Sequence, residues 1–316
     1  MQRWPYGRFG IVLATEEHSS AELVGIAEKA EAVGLGFAFV SDHFHPWNSA
    51  QGHSSNLWPL LGALAAKTDS LGLVSAVTCP IFRVHPTTLA QQAATVHHLS
   101  KGRFVLGLGT GEFLNEGIVG LGWPPFGERL GRLRESVALT RMLLRGSEVT
   151  EKGKYFQVER ARLYDAAPEL PIYYAASGPR TAQAAVEDAD GLICLGARPE
   201  LRVERTFPRI AQLSVCWAED HQSAVATAHR YFPEVALPGT LFCQLQTPAG
   251  FEQAALQVQP RDVAAAIACG PDPEPYLQEI EACFEAGFEA VALHQIGPDQ
   301  DGFLRFWERT IGRSGS

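Results

Sequence analysis

Three short runs hold most of the residues able to do chemistry, and each follows an apolar stretch. The first is Ser41-Asp42-His43-Phe44-His45-Pro46-Trp47. An imidazole beside a carboxylate can be held in one tautomer and used as a general acid or base. In an extended segment His43 and His45 point one way and Asp42 the other, so Asp42, His43, His45 and His53 do not converge on one ion and no metal is expected. The second run is Leu106-Gly-Leu-Gly-Thr-Gly-Glu112. Its glycines let a flat ligand approach the backbone, and Glu112 projects as a second titratable group. A dinucleotide fingerprint does not fit, because Glu112 stands where Gly or Ala is needed and no acidic strand end follows at the right distance. The third run is Ala175-Ala176-Ser177-Gly178-Pro179-Arg180-Thr181. Small residues entering a helix expose backbone N–H groups and a positive dipole end, which suits an anion such as phosphate. Each run also has a plainer reading: a histidine packed under Trp47, a Glu112 that caps a helix or pairs with an arginine, and an ordinary turn with Pro179 at the first helical position.

Other chemistries lack their residues. There is no Gly-x-x-x-x-Gly-Lys, Gly-x-Ser-x-Gly or His-Glu-x-x-His. The five lysines (Lys29, Lys67, Lys101, Lys152 and Lys154) fall on predicted helices or turns, so a Schiff base inside the fold is not expected.

The elements that must position these runs alternate. Strand-like stretches are read at Phe9 to Ala14, Phe37 to Ser41, Leu71 to Thr78, Arg103 to Gly109, Pro171 to Ala176, Gly191 to Leu195, Ile210 to Ala218 and Ala290 to Ile296. Helical spacing is read at Ser20 to Ala32, Leu57 to Thr68, Pro86 to Leu99, Arg129 to Arg145, Pro179 to Glu187, Pro199 to Arg205, Asp220 to Tyr231 and Tyr276 to Ala286, with no hairpin signal between. Eight continuous Val/Ile/Leu/Ala strands alternating with helices predict an α/β fold, a (β/α)8 TIM barrel; the runner-up is an open doubly wound sheet. One domain over 1–316 is expected, with insertions near 44–58, 111–127 and 232–260. All three chemical runs then lie at strand C-terminal ends, where a barrel does its work.

Of 316 residues 46% are hydrophobic, enough for a sizeable core, so disorder of the whole chain is excluded. The formal charge of -9 argues against nucleic acid or an anionic membrane as partner. No apolar run reaches the ~20 residues of a membrane span, and the start lacks the pattern of a secretory signal, so the expectation is a cytoplasmic protein. Cys79, Cys194, Cys216, Cys243, Cys269 and Cys283 are scattered without Cys-x-x-Cys and read as buried free thiols.

Taken together, SDHFHPW, the Gly-x-Gly-Thr-Gly-Glu-x-x-Asn run ending at Asn115, RLRES (132–136), AASGP and DADGLIC resemble the luciferase-like flavin/deazaflavin oxidoreductase superfamily. They look most like its branch of coenzyme F420-dependent glucose-6-phosphate dehydrogenases. The match runs from residue 9 to about 200 and resumes at Ala290 to Gln295 and the last helix. The resemblance implies that Asp42 contacts the deazaflavin, His43 takes the substrate hydroxyl proton, Trp47 lies by the reacting ring and Glu112 is the second acid/base group. It implies that Thr110, Gly111, Asn115, Ser177, Gly178, Arg180 and Thr181 hold the cofactor ring and tail. A non-proline cis peptide is implied near Ala76-Val77, against the cofactor with Cys79 close by, as is a homodimer.

Sugar-phosphate members of that branch bind phosphate through a Thr and a Lys after strand six and through basic residues in the late insertion. Here those positions are Leu195 and Arg198, and 231–260 contains no Lys or Arg, whereas a dianionic phosphate wants several charge-assisted donors. The expectation is therefore an F420-dependent hydride transfer to or from an uncharged or less charged alcohol, carbonyl or activated alkene, not glucose 6-phosphate. An FMN-dependent oxidoreductase or monooxygenase is the rival, and a non-catalytic flavin-binding protein the second alternative.

Overall fold

Alternate residues of one short segment go to different cores. Phe37 and Phe39 pack with Val12, Val74, Val105, Tyr173, Ile193, Ile210, Ala290 and Ala292, whereas Ala38 and Val40 pack among helix residues such as Leu57, Leu61 and Leu64. Strands buried on both faces in this way read as unbroken apolar runs. The computed structural model describes residues 4–201 and 207–314. Its strands are β1 (Phe9–Leu13), β2 (Phe37–Val40), β3 (Gly72–Ser75), β4 (Phe104–Leu108), β5 (Val149–Lys152), β6 (Gln157–Ala161), β7 (Ile172–Ala175), β8 (Gly191–Leu195), β9 (Arg209–Cys216), β10 (Ala268–Cys269) and β11 (Ala290–Gln295).

β1, β2, β3, β4, β7, β8, β9 and β11 are parallel neighbours in that order, and β11 returns to β1. The sheet is thus closed into a barrel, and the open-sheet alternative is ruled out. Trp4 packs edge-on against Phe37 with ring centroids 4.8 Å apart, at the end where β2 begins, and so plugs the barrel floor. The opposite end carries the polar residues. Continuing the inward rows by twos, Phe37 and Phe39 lead to Ser41 and His43, and Ala290 and Ala292 lead to His294.

The connecting helices start on side-chain caps, as the sequence suggests. Ser19 and Glu22 form a capping box at Ser20–Ala32, Asn56 caps Leu57–Lys67, and Asp220 caps His221–Tyr231. Two expectations are corrected. An antiparallel hairpin, β5 with β6, interrupts the strand–helix alternation. Three of its turn amides, those of Lys154, Tyr155 and Phe156, donate to the Glu135 carboxylate, a contact no local pattern reveals. Of the helix expected at Pro199 to Arg205, the part at Pro199–Leu201 is a 3-10 turn, and the rest lies outside the described residues. The 232–260 insertion folds into Pro233–Ala236, Gly239–Phe242 and Pro248–Ala255, followed by Pro260–Ala264, three of them with Pro at a first position. Among the described residues no helix is long and apolar enough to cross a membrane.

Candidate active site

The mouth of the barrel is organised around His43. Its Nδ1 lies 3.1 Å from the carbonyl oxygen of His45 and 3.3 Å from Asn115 Nδ2. The shorter contact, to an acceptor, needs the proton on Nδ1, so we assign that tautomer, which leaves Nε2 as the basic nitrogen. Nε2 stands 4.0 Å from Glu16 Oε1. The ring meets Trp47 edge-on, with centroids 4.9 Å apart.

Glu16 follows directly on β1, and sequence reasoning passed over it. Its other oxygen accepts a 2.5 Å bond from Ser41 Oγ, which in turn accepts from the amide of Thr15 at 2.8 Å. Burial pushes this carboxyl up, but His43 and the Ser41 hydrogen bond outweigh it and hold Glu16 below the usual carboxylate range. Beside it, Glu17 accepts from His294 Nε2 at 2.8 Å and from the Gly297 amide at 3.0 Å. The signal for both pairs was present but unused: two acidic residues at the C-terminal end of an apolar strand, and a histidine within the apolar β11.

Glu112 approaches from β4. Gly111 before it has φ +75°, and a Cβ there would lie 2.6 Å from Ile81 Cδ1 and 2.8 Å from Glu116 Cγ, so only glycine makes this turn. Burial raises the Glu112 carboxyl, against the opposing pull of His43. Asn115 joins the two halves: its Oδ1 accepts from the amides of Phe44 and His45 at 2.9 and 3.2 Å, and its Nδ2 donates to Glu112 at 3.3 Å. Asp42 faces the other way, accepting from Thr78 Oγ1 at 2.8 Å and pairing with Arg83 at 3.3 Å. Arg83 is shared with Glu116, whose Oε1 lies 2.7 Å away. Burial pushes Glu116 up to about 7. Arg83 and Glu116 are likewise residues that sequence reasoning missed.

The peptide Ala76-Val77 is cis and non-proline, and Cys79 beyond it is half-buried, with its thiol pushed well up by desolvation, which makes it a poor nucleophile. Trp47, His43, Asn115 and Glu112 are thus linked in a chain of contacts, Asp42 precedes His43 and bonds to Thr78, and Thr110 and Gly111 lead into Glu112. A second group sits at the end of β7. Ser177 is exposed and Gly178 caps Pro179–Asp188 without a side-chain bond. Arg180 lies 4.8 Å over the Phe126 ring, and Thr181 is buried. Leu195 is 59% exposed at the end of β8. Arg198 donates to its carbonyl and pairs with Glu200, so neither is brought to His43.

The insertion roofs the mouth. Phe242 and Phe251 lie edge-on to Trp47 at 5.0 and 5.1 Å, and Phe232 touches both Trp47 and His294. Next to Trp47, Asn48 Nδ2 donates to both oxygens of the fully buried Glu234, at 2.9 and 3.0 Å. Burial pushes Glu234 up to about 7. The folded state therefore holds a proton that the unfolded chain gives up, and stability falls as pH rises from the ordinary carboxylate range to that value. Glu234→Gln removes the penalty: by denaturant unfolding it is expected to be about 1–3 kcal/mol more stable than wild type above pH 8, and close to equal at about pH 4.5. An equal difference at both pH values would refute this.

With this geometry in view, comparison with known proteins is informative. The family model described as luciferase-like monooxygenase matches residues 7–290. The chain is 33% identical to the F420-dependent glucose-6-phosphate dehydrogenase of Microbacterium testaceum (strain StLB037), covering 96% of both chains. It is 35% identical to F420-dependent glucose-6-phosphate dehydrogenase 1 of Rhodococcus jostii (strain RHA1), covering 96% of this chain and 97% of that one. Among solved structures, an F420-dependent secondary alcohol dehydrogenase in complex with an F420-acetone adduct superposes with a TM-score of 0.88 at 26% identity, over 96% of this chain and 98% of that one. A match along nearly the whole barrel, motifs included, has one reading: this chain belongs to the luciferase-like monooxygenase family.

Proposed function

We propose that this protein is a coenzyme F420-dependent oxidoreductase that transfers a hydride between the deazaflavin and an uncharged alcohol or carbonyl substrate, His43 serving as the acid/base group. F420 dependence is what the named relatives and the superposed structure have in common. The observation that carries the substrate class is the wall around Trp47: Phe232, Phe242 and Phe251 close the mouth, and 231–260 brings no Lys or Arg to it. A phosphorylated sugar needs charge-assisted donors there. The mouth also suits a flat ring with an acidic tail, since Pro179–Asp188 begins uncapped and nothing lies within 4 Å of a Cβ built on Gly178.

When bound, F420 supplies two-electron hydride chemistry. The chain's own groups do the rest. His43 Nε2 accepts the hydroxyl proton during oxidation and returns it during reduction, while Nδ1 stays on the His45 carbonyl. Glu16, at 4.0 Å, favours the imidazolium so formed. Glu112, its carboxyl raised by burial, accepts from Asn115 Nδ2 and is the second acid/base group of this reading. Trp47 and the phenylalanines exclude water. Asp42, Ala76, Val77, Cys79, Thr110, Gly111, Ser177, Gly178, Arg180 and Thr181 belong to the cofactor's side of this reading, and Leu195 and Arg198 to the outer substrate wall. A cytoplasmic homodimer completes it.

The test is a fluorescence titration of the purified protein with F420 and, separately, FMN, followed by turnover with secondary alcohols and with glucose 6-phosphate. Saturable binding of F420 alone, with alcohols oxidised and the sugar phosphate ignored, is the expected result. Preference for FMN overturns the cofactor, and efficient glucose 6-phosphate oxidation overturns the substrate class.

A further inference from the structure

Arg129 is a buried cation without a carboxylate. It lies in the first turns of Phe126–Leu144 and is 4% exposed. Among the described residues its one side-chain hydrogen bond runs from Nη1 to the Pro124 carbonyl, 3.3 Å away, and its Nε has no partner. Elsewhere on the same helix, Arg132, Arg134 and Arg141 each pair with a carboxylate. Among the described residues Arg129 makes no ion pair, and burial lowers its pKa. A guanidinium so placed pays for its desolvation until an acceptor arrives.

Its surroundings say where that acceptor comes from. The guanidinium lies 4.0 Å over the ring of Trp123, whose own buried Nε1 also lacks a partner. Trp123 stacks on Phe113 at 5.4 Å, the residue after Glu112, so this pair of orphaned donors adjoins the candidate active site. The titratable groups that Arg129 faces are the thiols of Cys79 and Cys243, both pushed up by burial and so no counter-charge for it. On the other side the Phe126 ring lies between Arg129, at 5.9 Å, and Arg180, at 4.8 Å. Arg180 sits at the uncapped start of Pro179–Asp188 and likewise makes no ion pair among the described residues. Two guanidiniums, an indole N–H and two helix starts without side-chain caps therefore border one edge of the mouth.

We propose that Arg129, with Trp123 beside it and Arg180 across Phe126, binds the anionic tail of the deazaflavin, its phosphodiester first. The inference rests on the F420 reading above and adds a binding residue to it. A guanidinium presents five donors in a planar fork that matches phosphate oxygens, and one of them is already committed to Pro124. The indole N–H donates to the same group, and Arg180 receives the more distal charge.

The experiment compares affinities, by fluorescence titration, for F420 and for the tail-less deazaflavin riboside in wild type, Arg129→Gln and Arg129→Lys. Loss of charge-assisted bonds to the tail is expected to weaken F420 binding in Arg129→Gln roughly 10–100-fold. Riboside affinity should stay within about 2-fold, and Arg129→Lys should recover part of the loss. Unchanged F420 affinity in Arg129→Gln overturns the proposal, as does an equal loss for both ligands in both variants, which would make Arg129 a support of the Trp123 loop. Competition by inorganic phosphate or glucose 6-phosphate at an unchanged F420-to-riboside ratio would assign the cation to a substrate instead. If wild type binds neither deazaflavin, the F420 reading fails first and takes this proposal with it.

Discussion

Replacing His43 with alanine is expected to lower kcat by about 10²–10⁴-fold, the usual contribution of a positioned acid/base group. Affinity for F420 should stay within a few-fold. The separation of the two effects follows from what the imidazole touches. Its Nδ1 is turned to the His45 carbonyl and its Nε2 toward Glu16, so its bonds serve to hold one basic nitrogen outward. The neighbours keep their own supports: Trp47 remains packed against Phe242 and Phe251, and Glu16 keeps its bond from Ser41. Steady-state turnover and a fluorescence titration on the same preparation check both halves. Turnover and affinity lost in parallel would mean that His43 builds the cofactor site instead of moving a proton. No change in either would mean that the assignment of His43 is wrong.

Much of the site was legible because a barrel restricts where chemistry happens. Once FAFV and FVLGL are read as strands, Asp42, His43 and Glu112 must lie at one end, and Trp47 follows within the same loop. The supports were not legible. Glu16 reaches His43 because β1 and β2 are neighbours, and Glu17 reaches His294 only because the last strand returns beside the first, 277 residues away in the chain. A strand scan treats Glu16-Glu17 as the end of an apolar run, and nothing nearby says that both side chains turn into the mouth. Asn115 was read as touching cofactor; that its amide also joins the Phe44 backbone to Glu112 was not legible. The hairpin was missed for a different reason. VTEK and QVERA expose most of their residues, so they lack the alternation by which strands are recognised.

The same buried pair that the chain ends bring together sets the second large expectation: Glu17→Gln should destabilise the fold by about 3–5 kcal/mol, the cost of stranding one member of a buried ion pair. Both Glu17 oxygens are used, on His294 Nε2 and the Gly297 amide, so the pair ties β1 to the end of β11 at the seam where the barrel closes. Burial pulls His294 down, but Glu17 outweighs it and holds the imidazole above its ordinary 6.5. A raised folded-state value means that the stabilisation is fully present below about pH 6.5 and is lost as pH climbs through that value. In Glu17→Gln the remaining influence on His294 is mainly burial, with only Glu16 opposing it, so the charged ring becomes the costly form. The deficit against wild type should therefore be largest on the acid side and shrink in alkali, where a neutral imidazole can still bond to the Gln amide. Denaturant unfolding at several pH values reads this directly. A deficit under about 1 kcal/mol, or one that is flat with pH, would show that the seam is held by packing and that the pair is incidental.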